Sequence, residues 1–314
     1  MILLQLAFGF VLLVAGGEAL VRGAVSVAGR LGVSPLLIGL TLVGFGTSTP
    51  ELVTSLQAAF DDRAGIAVGN VVGSNIANIL LILGVAAIIA PIAVTRSSFG
   101  RDGAALVGAT LLSIFAVLYG SLDRWMGFIL IAGLIAYLVT AYLTDRSSTA
   151  QQTATMDTDI PPVTGSLWIA LALAVGGIVI TIVGARIAVD AAVALALAWG
   201  MAETVVGLTI VAVGTSLPEL VTSVMAALRR EAGIAFGNVI GSNIYNILGI
   251  LGVTALVRPI TVPSQIATLD IWVMTGATLA LIAAVVLRQR IGRMTGGLFL
   301  ASYAAYTIWL VTSV

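Results

Sequence analysis

Two glutamates stand where an apolar chain does not ordinarily place them. Glu51 lies within Gly46-Thr47-Ser48-Thr49-Pro50-Glu51-Leu52-Val53-Thr54-Ser55, and Glu219 lies within Gly214-Thr215-Ser216-Leu217-Pro218-Glu219-Leu220-Val221-Thr222-Ser223, at an offset of 168 residues. A second polar patch follows each copy at that same offset: Gly69-Asn70-Val71-Val72-Gly73-Ser74-Asn75-Ile76-Ala77-Asn78 and Gly237-Asn238-Val239-Ile240-Gly241-Ser242-Asn243-Ile244-Tyr245-Asn246. A lone carboxylate at the centre of a bilayer costs about 2.5–3.5 kcal/mol on insertion scales, so a matched pair needs a reason. On a helix Glu51 shares a face with Thr47 and Ser48, and Glu219 with Thr215 and Ser216, so each carboxylate sits among hydroxyls. Pro50 and Pro218 have no N–H to donate, and their rings push away the carbonyl four residues earlier, at Gly46 and Gly214. Carbonyls from Gly44 to Gly46 and from Ala212 to Gly214 can then turn inward, which lipid tolerates only where they line a cavity or bind something.

The second patches add Ser74 and Asn78, one turn apart, and their counterparts Ser242 and Asn246, while glycines 69, 73, 237 and 241 allow close backbone approach. Every donor gathered is an oxygen, the preference of hard cations such as calcium, magnesium and sodium. Calcium accepts six to eight oxygens in flexible geometry whereas magnesium demands an octahedron, so calcium is the expected ion, with sodium its competitor. Two carboxylates about 5 Å apart repel by roughly 3 kcal/mol at an effective dielectric near 20. An empty site should therefore cross reluctantly and a loaded one readily, which points to exchange of ions rather than one-way passage.

Composition sets the surroundings. Hydrophobic residues make up 60% of the 314 residues and charged residues 9%, far below the roughly 25% charge of a soluble domain. There is no cysteine or histidine, and all fourteen basic residues are arginine, which excludes thiolate and imidazole metal sites, disulfides and lysine Schiff bases. Net charge is zero, leaving no basic patch for nucleic acid. No nucleophile–base pair or phosphate loop suggests an enzyme, and no resident cofactor is expected; calcium and sodium are the anticipated cargo. The apolar start lacks a basic n-region and reads as a first membrane helix rather than a removed signal.

The elements that must hold the four patches are membrane helices of about 20 residues. Cutting at charges and Pro/Gly clusters gives ten segments, roughly 2–22, 33–60, 65–90, 103–121, 125–143, 166–190, 199–228, 233–257, 266–287 and 294–313. The expectation is an all-α membrane protein with two five-helix repeats, residues 1–143 and 165–314, joined by a polar cytoplasmic linker at 144–164. The segments carrying Glu51 and Glu219 are five crossings apart, and an odd number inverts the second repeat, which places broken helices and the site near the midplane. With the N-terminus outside, ten arginines (22, 30, 96, 101, 146, 229, 230, 288, 290 and 293) fall on the cytoplasmic side and four (63, 124, 186 and 258) outside, so both termini are expected outside. Tryptophans 125, 168, 199, 272 and 309 mostly fall near segment ends, as an aromatic belt would. Asn75 and Asn243 read as ties for broken backbone rather than as ligands.

The paired motifs resemble the two α-repeats of the cation/calcium exchanger superfamily, nearest its sodium/calcium exchanger branch, over about residues 39–94 and 207–262. The resemblance implies ten helices, alternating access by sliding of the first and sixth, and exchange of about three sodium ions for one calcium in a prokaryotic plasma membrane. Carried onto matching positions, it implies that Glu51 and Glu219 bind calcium and sodium with Thr47 and Thr215. Ser48, Ser74, Ser216 and Ser242 would line the flanking sodium sites, with Asn78 at the centre. Asn246 departs from the aspartate found in some prokaryotic members and in potassium-dependent exchangers. An amide carries no charge and takes up no proton, which argues against a potassium requirement and weakens the case for proton coupling. A proton-coupled calcium antiporter is the alternative function, and a cation channel the second. A channel usually builds its pore by symmetric assembly, whereas one chain here holds both halves and is expected to work as a monomer.

Overall fold

The computed structural model describes residues 1–94, 96–152, 166–200 and 212–312. Twelve helical elements order these residues, with a few two-residue strands at their ends. They are α1 (Ile2–Leu31), α2 (Pro35–Thr47), α3 (Thr49–Phe60), α4 (Ala64–Ile89), α5 (Arg96–Tyr119), α6 (Arg124–Gln152), α7 (Leu167–Ala198), α8 (Ala212–Thr215), α9 (Leu217–Leu228), α10 (Ala232–Val257), α11 (Ile266–Arg288) and α12 (Arg293–Thr312). Among the described residues seven helices are long and apolar enough to cross a membrane, and the bent pair α2–α3 makes up to eight. The expected segment at 199–228 lies partly outside the described residues, as does most of the expected linker. The helix α6 runs on to Gln152, into the first part of that linker, since a polar sequence that is unsuited to lipid can still be helical.

The bend between α2 and α3 is 43°, and its position follows from Pro50, the second residue of α3. Ser48 sits at the break with φ −82° and ψ 9°, and Ser216 with φ −91° and ψ 9° separates α8 from α9 in the same way, ahead of Pro218. The second patches also fall on irregular backbone. A π-helical turn begins at Asn78 (Asn78–Ile82), and another includes Asn246 (Tyr245–Leu251); such turns occur disproportionately at functional sites.

The broken helices and the mostly buried α4 and α10 form the interior, while in the apolar stretches of α1, α6, α7 and α11 a third of the residues or fewer are buried. Exposed apolar side chains such as Leu4, Phe8, Phe115, Phe128, Ile169 and Leu298 form the outer face, the side presented to lipid. On that face α1 and α7 pack backbone to backbone along a seam of matched glycines. A Cβ at Gly9 would lie 2.7 Å from Ala188 N, and one at Gly177, 168 residues later, 2.7 Å from Leu20 Cα. Gly16 meets Thr181 and its counterpart Gly184 meets Leu13 in the same fashion.

Contacts at the helix ends tie distant segments together. The strand Ile92–Ala93 (β1) pairs antiparallel with Arg290–Ile291 (β4), and Ser121–Leu122 (β2) with Ile260–Thr261 (β3). Ser34 caps α2 by accepting from Leu37 N, and in turn donates through its amide (2.8 Å) and hydroxyl (2.5 Å) to the buried carboxylate of Asp145 on α6. Glu18 on α1 binds Arg22 one turn on and Arg229 at the end of α9. Arg258 donates to Asp62 and to Phe60 O.

Candidate functional site

The two glutamates each lie in the first turn of the helix that follows a break, and both are 1% exposed. Their helices meet across the interior. Ser48 Oγ, at the break in the first half, donates to Glu219 Oε1 at 2.9 Å. Glu51 lies within electrostatic reach of Glu219 and beside Ser216, so the two carboxylates share one buried region.

The neighbouring contacts also join the halves. Ser242 Oγ donates to the Gly44 carbonyl at 3.2 Å, which also accepts the helical hydrogen bond from Ser48 N at 3.2 Å. Thr47 Oγ1 is 3.1 Å from Val43 O and 3.2 Å from Asn238 Oδ1. Asn78 Nδ2 donates to Asn243 Oδ1 at 3.2 Å. These approaches need α10 to lie close on α2, and Gly237 and Gly241 provide it: a Cβ at Gly237 would be 2.9 Å from Leu40 N, and one at Gly241 2.6 Å from Leu40 Cα. The counterparts Gly69 and Gly73 show no comparable approach to the described residues.

Each expected residue can now be placed. Glu51, Glu219, Thr47, Ser48, Ser74, Ser216, Ser242, Asn78 and Asn246 are all buried. Thr215 closes α8, half-buried. Ala212 opens α8, and its side chain lies outside what the structure describes. The contacts above bring together Ser48 with Glu219, and Gly44 with Ser242. The site also holds residues that sequence reasoning missed. Asn243, read as a backbone tie, instead pairs with Asn78. Asn70 and Asn238, given no role, bond the main chain at the two glutamates. Their spacing within the second patch was visible, but nothing in the residue types says which way an amide faces.

Most of these polar groups are incompletely satisfied. Among the described residues both oxygens of Glu51, Glu219 Oε2, Ser216 Oγ, Asn78 Oδ1, Asn243 Nδ2 and both amide atoms of Asn246 are buried without a hydrogen-bond partner. Six of these eight atoms are oxygens, so the donor set suits a hard cation and not a soft one.

An all-helical, lipid-facing fold with a buried, oxygen-rich and acidic site at its centre defines a membrane cation transporter. The chain belongs to the sodium/calcium exchanger family, whose sequence pattern matches residues 1–143 and 169–312, and it is a membrane cation/calcium exchanger of the antiporter type. It is 38% identical over 311 residues to the putative antiporter CaxA of Alkalimonas amylolytica, covering 97% of each chain. It is 34% identical to the sodium/calcium exchanger MaX1 of Methanosarcina acetivorans, over 98% of this chain and 97% of that one. Its fold is similar to that of the sodium-calcium exchanger NCX_Mj soaked with 2.5 mM Na+ and 0.1 mM Ca2+, with a TM-score of 0.83 and 32% identity over 99% of both chains.

Proposed function

We propose that the chain exchanges sodium for calcium across a prokaryotic plasma membrane by alternating access, with Glu51 and Glu219 as the charged ligands of a shared site. The observation that carries this reading is the pair of buried carboxylates on broken helices, three of whose four oxygens have no hydrogen-bond partner among the described residues. Thr47, Thr215, Ser48, Ser216, Ser74, Ser242, Asn78, Asn246 and the carbonyls of Gly44 and Ala212 complete the ligand set. One divalent ion or several sodium ions would offset the repulsion between the carboxylates, and the bare site would not cross. The names of MaX1 and NCX_Mj, both sodium/calcium exchangers, support sodium as the counter-ion.

The chain crosses ten times in this reading, as two inverted halves, 1–143 and 165–314, with both termini outside and residues 144–164 in the cytoplasm. Support comes from the contacts at helix ends, which pair residues that ten crossings put on one side. On the cytoplasmic side these are β1 with β4, Ser34 with Asp145, and Glu18 with Arg229. On the outside they are β2 with β3, and Asp62 with Arg258.

The test is calcium uptake into proteoliposomes under an imposed sodium gradient, against proton and potassium gradients. Uptake driven by sodium is expected, and Glu51→Gln should abolish it with the melting temperature little changed, because the amide keeps the shape and removes the charge. Uptake driven by a pH gradient and indifferent to sodium would replace sodium with protons. A Glu51→Gln protein that exchanges calcium at the wild-type rate would show that the site is misplaced.

A further inference from the structure

We infer that Asn70 and Asn238 are positioning residues of the cation site: each clamps the main chain at one glutamate, and Asn238 also orients Thr47 of the opposite half. The inference rests on the proposed role of Glu51 and Glu219 as ligands. Asn238 Nδ2 donates to Glu219 O at 3.1 Å and to Ser223 Oγ at 2.8 Å. Asn70 Nδ2 donates to Glu51 O at 3.0 Å and to Ser55 Oγ at 2.9 Å. All three residues of each set are related by the offset of 168, so the same clamp is built twice.

The geometry explains why an amide is needed. A glutamate carbonyl in a helix already accepts from the amide four residues on, and its second lone pair is open to another donor. The asparagine fills that position and reaches one turn further to the serine hydroxyl. It therefore bridges two successive turns of the glutamate's helix from the neighbouring α4 or α10. This is the stretch just after the proline break, where the ordinary ladder has lost a donor. Flipping the amide would set its oxygen against the glutamate carbonyl, so Asn238 Oδ1 must point the other way, and there it meets Thr47 Oγ1. A hydroxyl has one proton. Its acceptors are Val43 O at 3.1 Å, Asn238 Oδ1 at 3.2 Å and Gly44 O at 3.4 Å; Asn238 Oδ1 is the one among them on a side chain of the opposite half, and with the proton directed there Thr47 offers only lone pairs to the site, the orientation a cation requires. Asn238 is 0% exposed with both N–H groups engaged, so it acts through Glu219 and Thr47 and not as a ligand.

The test compares wild type, Asn238→Ala, Thr47→Val and the double variant, reading calcium-dependent uptake in proteoliposomes and the calcium-induced rise in melting temperature in detergent. Asn238→Ala should weaken apparent calcium affinity about tenfold, the loss expected for one or two hydrogen bonds. The double variant should be weaker than Thr47→Val by clearly less than that factor, because residues acting through a shared contact are not additive. A purely structural amide would lower the melting temperature of the ion-free protein and leave calcium affinity and sodium competition unchanged, which would overturn the inference. So would fully multiplicative effects of the two substitutions. Should Asn238→Ala fail to fold, Asn70→Ala at the half-buried counterpart carries the same expectation at Glu51, and wild-type affinity there is equally fatal. A wild-type protein that neither binds nor moves calcium fails at the site itself, whereas intact wild-type exchange with unaffected variants fails only the positioning role.

Discussion

The packing of α10 on α2 makes Gly241→Ala the most demanding test of the site's geometry. A Cβ at position 241 would meet Leu40 O first, and would lie 2.6 Å from Leu40 Cα and 2.7 Å from Leu40 C. Carbon atoms rest about 3.5–4.0 Å apart, so the two helices must separate by about 1 Å. The next residue donates the Ser242–Gly44 hydrogen bond, which stands at 3.2 Å; a separation of about 1 Å takes it beyond hydrogen-bonding range. The Thr47–Asn238 contact, also 3.2 Å, spans the same interface. Overpacking of about 1–3 kcal/mol together with two lost hydrogen bonds of about 0.5–1.5 kcal/mol each gives roughly 2–6 kcal/mol. Most of that strain falls between the backbones that carry Gly44, Thr47 and Ser242. Sodium-driven calcium uptake should fall by at least about tenfold, the equivalent of 1.4 kcal/mol at the site, with a lowered melting temperature. Gly297→Ala, where no atom lies within 4 Å of the new methyl, should be silent in both assays. A Gly241→Ala protein that transports at the wild-type rate would refute the claim that this close approach holds the proposed ligands in place.

Two further expectations follow from charge. Asn246→Asp adds a carboxylate at a buried position whose amide atoms have no partner among the described residues, and should make uptake sensitive to pH or potassium; unchanged selectivity under imposed potassium and proton gradients would count against Asn246 facing the ions. Asp145→Ala should cost more stability than Glu18→Ala in thermal melts. Asp145 is 8% exposed and accepts two hydrogen bonds from Ser34, each worth about 1.5–3 kcal/mol to a charged acceptor. Glu18 pairs with two arginines whose side chains are at least 40% exposed, where an ion pair is worth about 0–1 kcal/mol.

The sequence made the ligand candidates legible because repetition supplied what a single copy lacks. Pro50 alone would mean a kink, and Glu51 alone an interhelical hydrogen bond, but the same pair at Pro218 and Glu219 required one explanation for both. The two central helices were also legible to within about a residue, expected at 65–90 and 233–257 and observed as Ala64–Ile89 and Ala232–Val257, since turns and charges bound them. Where charge was used to end a helix, the reading stopped short. Arg22 does not terminate α1, because Glu18 neutralises it one turn earlier and the helix runs on to Leu31 and a left-handed Gly32. The roles of Asn70, Asn238 and Asn243 stayed hidden for a different reason. Residue types at fixed spacing say which polar groups share a helix face, but which of them bond across an interface depends on how two helices meet.

That interface is also where the energetics become decisive. Eight buried polar atoms of Glu51, Glu219, Ser216, Asn78, Asn243 and Asn246 have no hydrogen-bond partner among the described residues. Each such group left unpaired in a low-dielectric interior carries a penalty of about 1–3 kcal/mol. Scattered through the protein, such groups could be tolerated one by one. Concentrated around two carboxylates that also repel each other, they are what the proposed cation would relieve, by taking up both the oxygens and the charge. Of the two amide nitrogens in the set, that of Asn246 is the one an amide presenting its oxygen to a cation would direct elsewhere, whereas Asn243 gives its oxygen to Asn78. On the proposed reading, polar atoms that folding alone would have paired with one another are kept open for ions, and filling the site and crossing the membrane become parts of one energetic problem.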